Sequence, residues 1–223
     1  MSGDVRLVPV AVQRTARVAM LGPATAGIRE LWYVLHGYGQ LAAEFIESCR
    51  ALDDGTRLIV APEALSRFYD GDVQARMHKD ARVGASWMTR EDRESEISDY
   101  LGYLDTLHAA MLASIGATAT PSVTVLGFSQ GGATAARWVA SGRVNAARLV
   151  VWGSLFPPEL DLADPAAPIR RAAVTQVVGT KDIFATPKIV AKETARLRDA
   201  GLPYRFVTFE GGHRLDDDTL RAL

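Results

Sequence analysis

A serine set among glycines is the first candidate for chemistry in this chain. Residues 127–131 are Gly-Phe-Ser-Gln-Gly, directly after an apolar run that ends at Leu126 and before a segment rich in alanine. This G-x-S-x-G pattern between a strand and a helix is typical of a nucleophile elbow, whose tight turn projects the serine above a sheet. The alternative is a glycine-rich turn whose serine only caps a helix. The strand-turn-helix context favours Ser129 as a nucleophile.

His213 and Asp182 are the predicted partners of this serine. A serine hydroxyl attacks only when a base removes its proton, and the base in turn needs an acid to orient it. In enzymes built on such an elbow the acid and then the histidine follow the serine, and of the four histidines His213 alone does so. Asp182 closes a turn, residues 179–182, after a strand-like run. That position would bring its carboxylate to the sheet edge that carries Ser129.

The other acids that follow the serine have simpler interpretations. Glu193 and Asp199 fall on a helical segment, and we expect them on its solvated face. Asp161 and Asp164 lie in a proline-rich loop. Asp182 therefore remains the preferred acid.

Two backbone N–H groups are predicted to stabilise the reaction. Attack on an ester makes the carbonyl oxygen negative, and donors already aimed at that oxygen lower the barrier. One donor is expected to be the N–H of Gln130, the residue after Ser129. The other should come from the loop after an early strand, where His-Gly-Tyr-Gly at residues 36–39 fits, and we assign it to Tyr38. Because both donors are main-chain groups, side-chain replacement there should cost less activity than replacement of Ser129.

Two other functions compete with this interpretation. Residues 37–42, Gly-Tyr-Gly-Gln-Leu-Ala, also fit the G-x-G-x-x-A pattern of NAD-binding oxidoreductases, with Glu63 near the position of a ribose-binding acid. That reading leaves the order of Ser129, Asp182 and His213 as an accident. A non-catalytic, ligand-binding scaffold is the third hypothesis.

Composition describes an ordinary globular chain and excludes several partners. The 223 residues carry 25 basic and 26 acidic side chains, so no positive excess favours nucleic acid. No apolar run reaches the roughly 18 residues that span a bilayer, and the first residues do not resemble a signal peptide. We therefore expect a soluble, cytoplasmic protein. The single cysteine, Cys49, is expected to be a small core residue.

Short apolar runs alternate with segments of helical period, which indicates an α/β fold with a mostly parallel, doubly wound sheet. The predicted strands are residues 31–35, 58–61, 123–126, 149–152, 174–178 and 206–209, and the predicted helices are residues 41–52, 91–115, 130–141, 188–200 and a short one from 216. Residues 5–10 and 16–21 alternate in polarity and predict an antiparallel N-terminal hairpin. One domain over residues 1–223 is expected.

Two long loops are candidates for substrate binding. They span residues 62–90 and 154–171, and loops at the carboxyl ends of such strands are where ligands bind. Trp87, Met88 and Phe156 are the predicted walls of a substrate pocket there.

These motifs together resemble the phospholipase/carboxylesterase family of α/β-hydrolases, which includes acyl-protein thioesterases and small bacterial carboxylesterases. The resemblance covers nearly the whole chain, and its motifs stand at residues 36–39, 127–132, 179–182 and 211–213. It implies the α/β-hydrolase fold and an esterase that needs no metal and no cofactor. The site residues that it implies are Ser129, Asp182 and His213 as the triad, with Tyr38 and Gln130 as oxyanion donors. Gln40 departs from the family, which usually has an acid there, so a hydrogen bond that shapes the first loop is in question.

The expected activity is that of a serine carboxylesterase acting on short- to medium-chain carboxylic esters through an acyl-enzyme. An acyl-protein thioesterase or a lysophospholipase with the same triad remains an alternative. A small-molecule ester or thioester is the expected partner, and the oligomeric state stays open, with a homodimer as one option. No insertion is large enough for a lid domain, and no metal site is expected, because no two histidines have ligand spacing.

Overall fold

A large sheet forms the centre of the computed structural model, which describes residues 4–116 and 120–223. The strands are, in chain order, β1 (Val18–Leu21), β2 (Glu30–Leu35), β3 (Arg57–Pro62), β4 (Ser66–Tyr69), β5 (Val83–Ser86), β6 (Ser122–Phe128), β7 (Arg148–Trp152), β8 (Ala173–Gly179) and β9 (Tyr204–Phe209). Seven of them lie in the order β1-β3-β2-β6-β7-β8-β9, and β4 pairs with β5 in a separate antiparallel ribbon. Within the large sheet β1 runs antiparallel to β3, and the other neighbours are parallel.

The antiparallel N-terminal strand is present, but the hairpin partner predicted for it is wrong. Residues 5–10 form no strand, and β1 instead pairs with β3, with Val18 opposite Pro62 and Leu21 opposite Ile59. Alternating polarity predicts a strand without indicating its partner, and an isolated two-stranded hairpin is at best marginally stable in water. The open edge of β3 offers β1 a partner that already belongs to a large sheet.

The described ranges contain six α-helices: five stand where the sequence predicts them, and one, like β4 and β5, lies within residues 62–90, which were predicted to be a loop. They are α1 (Ala42–Phe45), α2 (Val73–Arg76), α3 (Arg93–Ile115), α4 (Gln130–Ala140), α5 (Pro187–Asp199) and α6 (Asp217–Arg221), with 3₁₀ helices at Ile46–Leu52 and Pro168–Arg171. Among the described residues, no helix has the length and hydropathy that a membrane crossing requires.

The helix predicted at residues 41–52 is α-helical only in its first turn and continues as a 3₁₀ helix. Three residues per turn place Ile46, Cys49 and Leu52 on one face, and all three are buried. Cys49 is thus the core residue that was expected, and burial raises the pKa of its thiol.

Side chains of the sheet alternate between two apolar cores, one on each face. On β2, Leu31, Tyr33 and Leu35 belong to the core shared with α3, α4 and α5, whereas Trp32 and Val34 belong to the core shared with α1 and α6. The sheet therefore lies between two helical layers, which confirms the predicted fold class. The carboxyl ends of β2, β6, β7, β8 and β9 face the same edge, and no separate lid domain stands over that edge in the described ranges.

Candidate active site

The turn between β6 and α4 has the geometry of a nucleophile elbow. Ser129 adopts φ 54° and ψ −121°, a conformation that L residues rarely tolerate. A Cβ at Gly127 would lie 2.0 Å from the carbonyl oxygen of Gly131, and one at Gly131 would lie 2.2 Å from that of Leu35. Glycine is therefore required on both sides of the serine, as the sequence pattern predicted. The N–H of Ser129 donates to the carbonyl of Trp152 at 2.8 Å, which ties the elbow to β7.

Asp182 and His213 are brought together by the loops after β8 and β9. His213 Nδ1 lies 2.7 Å from Asp182 Oδ2, and the other carboxylate oxygen accepts the N–H groups of Phe184 and Ala185 at 2.8 and 3.2 Å. An ionised carboxylate can only accept, so the shared hydrogen belongs to Nδ1. That tautomer leaves Nε2 of His213 with a lone pair, as a general base requires.

The His213 imidazole lies beside the elbow. Its ring centroid is 4.7 Å from that of Phe128, the residue before Ser129. A Cβ at Gly153, the residue after β7, would meet His213 Cε1 at 3.0 Å, and its φ is 57°, so glycine suits this position beside the imidazole. Among the hydrogen bonds of the described residues, none joins the Ser129 hydroxyl to His213. Such bonds are often long without substrate and tighten when it binds.

The loop after β2 contains the backbone N–H of Tyr38, one of the two predicted oxyanion donors. Gly37 N–H donates to Gln40 Oε1 at 2.8 Å, and Gly39 N–H and Gln40 N–H donate to backbone carbonyls. Within the described ranges the N–H of Tyr38 has no such acceptor. Gln40 therefore makes the hydrogen bond that its departure from the family pattern had put in question.

His36 anchors this loop as a neutral imidazole. Its Nε2 accepts the N–H of Ala64 at 3.0 Å, so Nδ1 carries the hydrogen and donates to the carbonyl of Gly37 at 2.8 Å. Burial lowers the pKa of His36, although the bond to Gly37 and the charge of Glu63 oppose it. The ring is thus held uncharged.

The side chain of Gln130 has a role that the sequence analysis missed. Its Oε1 accepts the N–H of Trp87 at 3.0 Å, and its Nε2 donates to the carbonyl of Met88 at 2.7 Å and to Ser86 Oγ at 3.2 Å. The residue after the candidate nucleophile therefore ties the elbow to the loop after β5. These contacts span more than 40 positions of the chain, and no local pattern signals them.

The three predicted pocket residues differ in exposure. Trp87 and Phe156 are buried in the core, while Met88 is half-buried. Trp87 also donates from Nε1 to the carbonyl of His36 at 2.9 Å and lines a cavity of about 360 Å³ that extends along α3. Trp87 therefore holds the loop after β5 to Gln130 and His36 from within the core.

Glu193 was expected on a solvated helix face, and this expectation is wrong. Its side chain is buried, and Oε1 accepts the N–H of Phe156 at 2.8 Å. Arg196 lies 3.5 Å from the same carboxylate and donates to the carbonyls of Phe156 and Pro157 at 2.9 and 2.8 Å. Together Glu193 and Arg196 fix the loop after β7. The helical repeat pattern of the sequence indicates that Glu193 lies on a helix, but it does not indicate this contact.

Glu63 is committed to internal contacts. Its carboxylate accepts Arg17 Nε and Arg67 Nη1 at 2.8 and 2.9 Å and the N–H of Ala42 at 3.3 Å. Burial would raise the pKa of Glu63, but the hydrogen bonds from Arg67 and Arg17 outweigh it and hold that pKa below its usual range. A ribose-binding acid would need a free carboxylate, so the oxidoreductase alternative loses its support. Among the described residues, no cluster of three His, Cys, Asp or Glu side chains could hold a metal ion.

Comparison with known proteins gives one family and many similar structures. The family model described as "Serine hydrolase (FSH1)" matches residues 31–217. A carboxylesterase from Mesorhizobium loti is 16% identical with a TM-score of 0.69 and 96% coverage of both chains. Acyl-protein thioesterase 2 from Zea mays is 17% identical with a TM-score of 0.66, covering 93% of this chain and 97% of its own. A phospholipase/carboxylesterase from Dyadobacter fermentans is 18% identical with a TM-score of 0.65, covering 95% of this chain and 96% of its own. No curated protein sequence matches the chain.

Proposed function

The chain belongs to the FSH1 family of serine hydrolases, and on that premise we propose that it is a carboxylesterase acting on short- to medium-chain carboxylic esters. The catalytic residues in this proposal are Ser129, Asp182 and His213. The observation that carries it is the 2.7 Å hydrogen bond between His213 and Asp182, formed beside a strained elbow that presents Ser129. A strained residue and a carboxylate-oriented imidazole at one sheet edge are the parts that acyl transfer needs.

The first half-reaction acylates the serine. Ser129 Oγ attacks the carbonyl carbon of the ester while His213 Nε2 takes the hydroxyl proton, and Asp182 stabilises the imidazolium through Nδ1–H. The carbonyl electrons move onto oxygen, and the N–H groups of Tyr38 and Gln130 donate to that oxyanion. The carbonyl re-forms, the bond to the alcohol oxygen breaks, and His213 gives that oxygen its proton.

The second half-reaction releases the acid. A water molecule replaces the alcohol, loses a proton to His213 Nε2 and attacks the acyl-enzyme carbonyl. Collapse of the second tetrahedral intermediate breaks the bond to Ser129 Oγ, which recovers the proton from His213. The products are a carboxylic acid and an alcohol, and the free enzyme is restored.

Hydrolysis of a graded substrate panel tests this proposal. We expect the wild type to hydrolyse nitrophenyl esters with acyl chains of two to eight carbons, with a parallel panel of acyl thioesters to compare leaving groups. The Ser129→Ala variant should lose roughly 10³-fold or more in kcat, because the nucleophile is gone.

A matched control distinguishes loss of the nucleophile from loss of any serine hydroxyl. Ser114→Ala removes a hydroxyl that bonds the Met111 carbonyl at the end of α3, and it should keep wild-type activity. A fluorophosphonate probe should label wild type and the control but not Ser129→Ala. Full activity or labelling in Ser129→Ala would contradict the proposal.

A further inference from the structure

Ile183 and Phe184 form an exposed apolar surface beside His213, here called the 183–184 ledge. Their exposed fractions are 75% and 64%. The Phe184 ring packs edge-on against the His213 imidazole, with 4.8 Å between ring centroids. Adjacent large apolar side chains that stay in water beside a reaction centre point to a binding surface.

The backbone holds the ledge in place. Asp182 Oδ1 accepts the N–H of Phe184 at 2.8 Å and that of Ala185 at 3.2 Å, and Ala185 is buried. Two residues later Pro187 begins α5. The exposure of the ledge is therefore imposed by a turn anchored at both ends. Because the same carboxylate also bonds His213, the ledge and the imidazole keep a fixed relation.

The cationic side chain that precedes Asp182 is already paired. Lys181, the residue before Asp182, pairs with Glu210 at 2.6 Å. The phenyl ring of Phe128 also packs on the imidazole, with 4.7 Å between ring centroids. The side chains that pack on the imidazole, Phe184 and Phe128, are therefore both apolar.

We propose that the 183–184 ledge binds the leaving-group side of the substrate, so that this protein prefers esters of apolar alcohols over esters of polyols or charged alcohols. The inference rests on the proposed function, in which His213 Nε2 protonates the alcohol oxygen. That oxygen must come within roughly 3 Å of Nε2. The chain attached to it then extends over the side chains that pack on the imidazole. An apolar chain gains by covering the ledge, whereas a polyol loses hydration there.

Two ester series separate the leaving-group side from the acyl side. The first keeps acetate and varies the alcohol from ethyl through butyl to hexyl, with glyceryl acetate as the polar member. The second keeps ethanol and varies the acyl group from two to six carbons. Titration of released acid gives kcat/KM for each ester. For wild type we expect kcat/KM to rise about tenfold from ethyl to hexyl acetate, in line with partial burial of four methylenes.

Three variants assign that rise to the ledge. Phe184→Ala and Ile183→Asn should each remove most of the rise in the alcohol series and leave the acyl series with its wild-type slope. The comparison is between the slopes of kcat/KM against chain length within each ester series. A variant that disturbs His213 would lower kcat/KM for all esters alike and would leave these slopes unchanged. Met20→Ala, an exposed apolar side chain on β1, should keep both wild-type slopes.

Each outcome bears on a different statement. Equal kcat/KM for ethyl, hexyl and glyceryl acetate in the wild type overturns the inference while the esterase proposal stands. The inference is also overturned if Phe184→Ala and Ile183→Asn change the dependence of kcat/KM on chain length only in the acyl series. Absence of hydrolysis of every ester by the wild type overturns the proposed function and the inference together.

Discussion

Gln130 contributes two different groups to the candidate site. Its N–H is the proposed oxyanion donor, and its side-chain amide makes three hydrogen bonds to residues 86–88. The amide is suited to this because it donates and accepts from one planar group. Replacing it leaves the N–H of Trp87 without its acceptor and removes one of the two donors to the Met88 carbonyl, which keeps the Ser86 hydroxyl at 2.9 Å.

Gln130→Ala should therefore cost more than a main-chain role alone predicts. We expect the free energy of unfolding to fall by about 2 kcal/mol, because the buried N–H of Trp87 loses its acceptor and the Met88 carbonyl loses one of its donors. With the loop after β5 released, kcat/KM for a nitrophenyl ester should fall roughly tenfold or more. Urea unfolding and steady-state kinetics measure the two effects. Gln74→Ala, on an exposed face of α2, is the control and should match the wild type.

A Gln130→Ala variant with wild-type stability and activity would show that the side chain is dispensable. Tyr38→Ala provides the opposite comparison. The Tyr38 side chain is exposed and stacks on Phe68 with ring centroids 5.1 Å apart, so its loss should affect activity less than loss of the Gln130 amide.

At the scale of elements, the elbow depends on backbone contact between β6, α4 and the end of β2. The Cβ positions that glycine leaves empty at 127 and 131 are filled by main-chain atoms, which cannot move away as a flexible side chain could. Gly102 on α3 is the reverse case, because nothing lies within 4 Å of a Cβ built there.

The same substitution should therefore have opposite effects at two glycines. Gly127→Ala should lower the free energy of unfolding by about 3 kcal/mol, since the added methyl overlaps the Gly131 carbonyl. Gly102→Ala should raise it by about 1 kcal/mol, because alanine is the better helix former and has room. Thermal and urea unfolding of the two variants check this. A neutral Gly127→Ala would contradict the tight elbow.

Much of this element-level organisation could be predicted from the sequence. Continuous apolar runs predict strands covered on both faces, and the chain order of Ser129, Asp182 and His213 predicts which strand ends carry them. Partners are harder. Residues 16–21 predict a strand but not β3 as its neighbour, and Glu193 lies on a helix without any sign that it bonds Phe156, 37 positions earlier. The direction of Ile183 and Phe184 likewise depends on a turn that only the folded Asp182 carboxylate creates.

At the scale of the whole molecule, two imidazoles tie separate elements together in their neutral form. His36 bonds Ala64 and Gly37 next to the first loop. His108 on α3 bonds the hydroxyl of buried Tyr33 on β2, with Nδ1 and Oη 3.0 Å apart. Burial lowers the pKa of both, and for His108 the charge of Asp105 opposes it only in part.

Stability should therefore decline on mild acidification. In the unfolded chain these imidazoles take up protons near their ordinary pKa of about 6.5, whereas the folded protein resists protonation until lower pH. The unfolded state then binds more protons than the folded state. The contribution of each neutral histidine to the free energy of unfolding is therefore complete above about pH 6.5, and it is lost below that pH by up to about 1.4 kcal/mol per pH unit. Urea unfolding between about pH 8 and pH 5 measures the slope of the free energy of unfolding against pH.

His36→Gln and His108→Gln should each flatten this slope, because glutamine does not titrate, while His78→Gln, at an exposed position, should keep it. A wild-type slope in both buried-histidine variants would mean that other groups govern the acid response, and the neutral imidazoles would then not be what holds α3 and the first loop to the sheet.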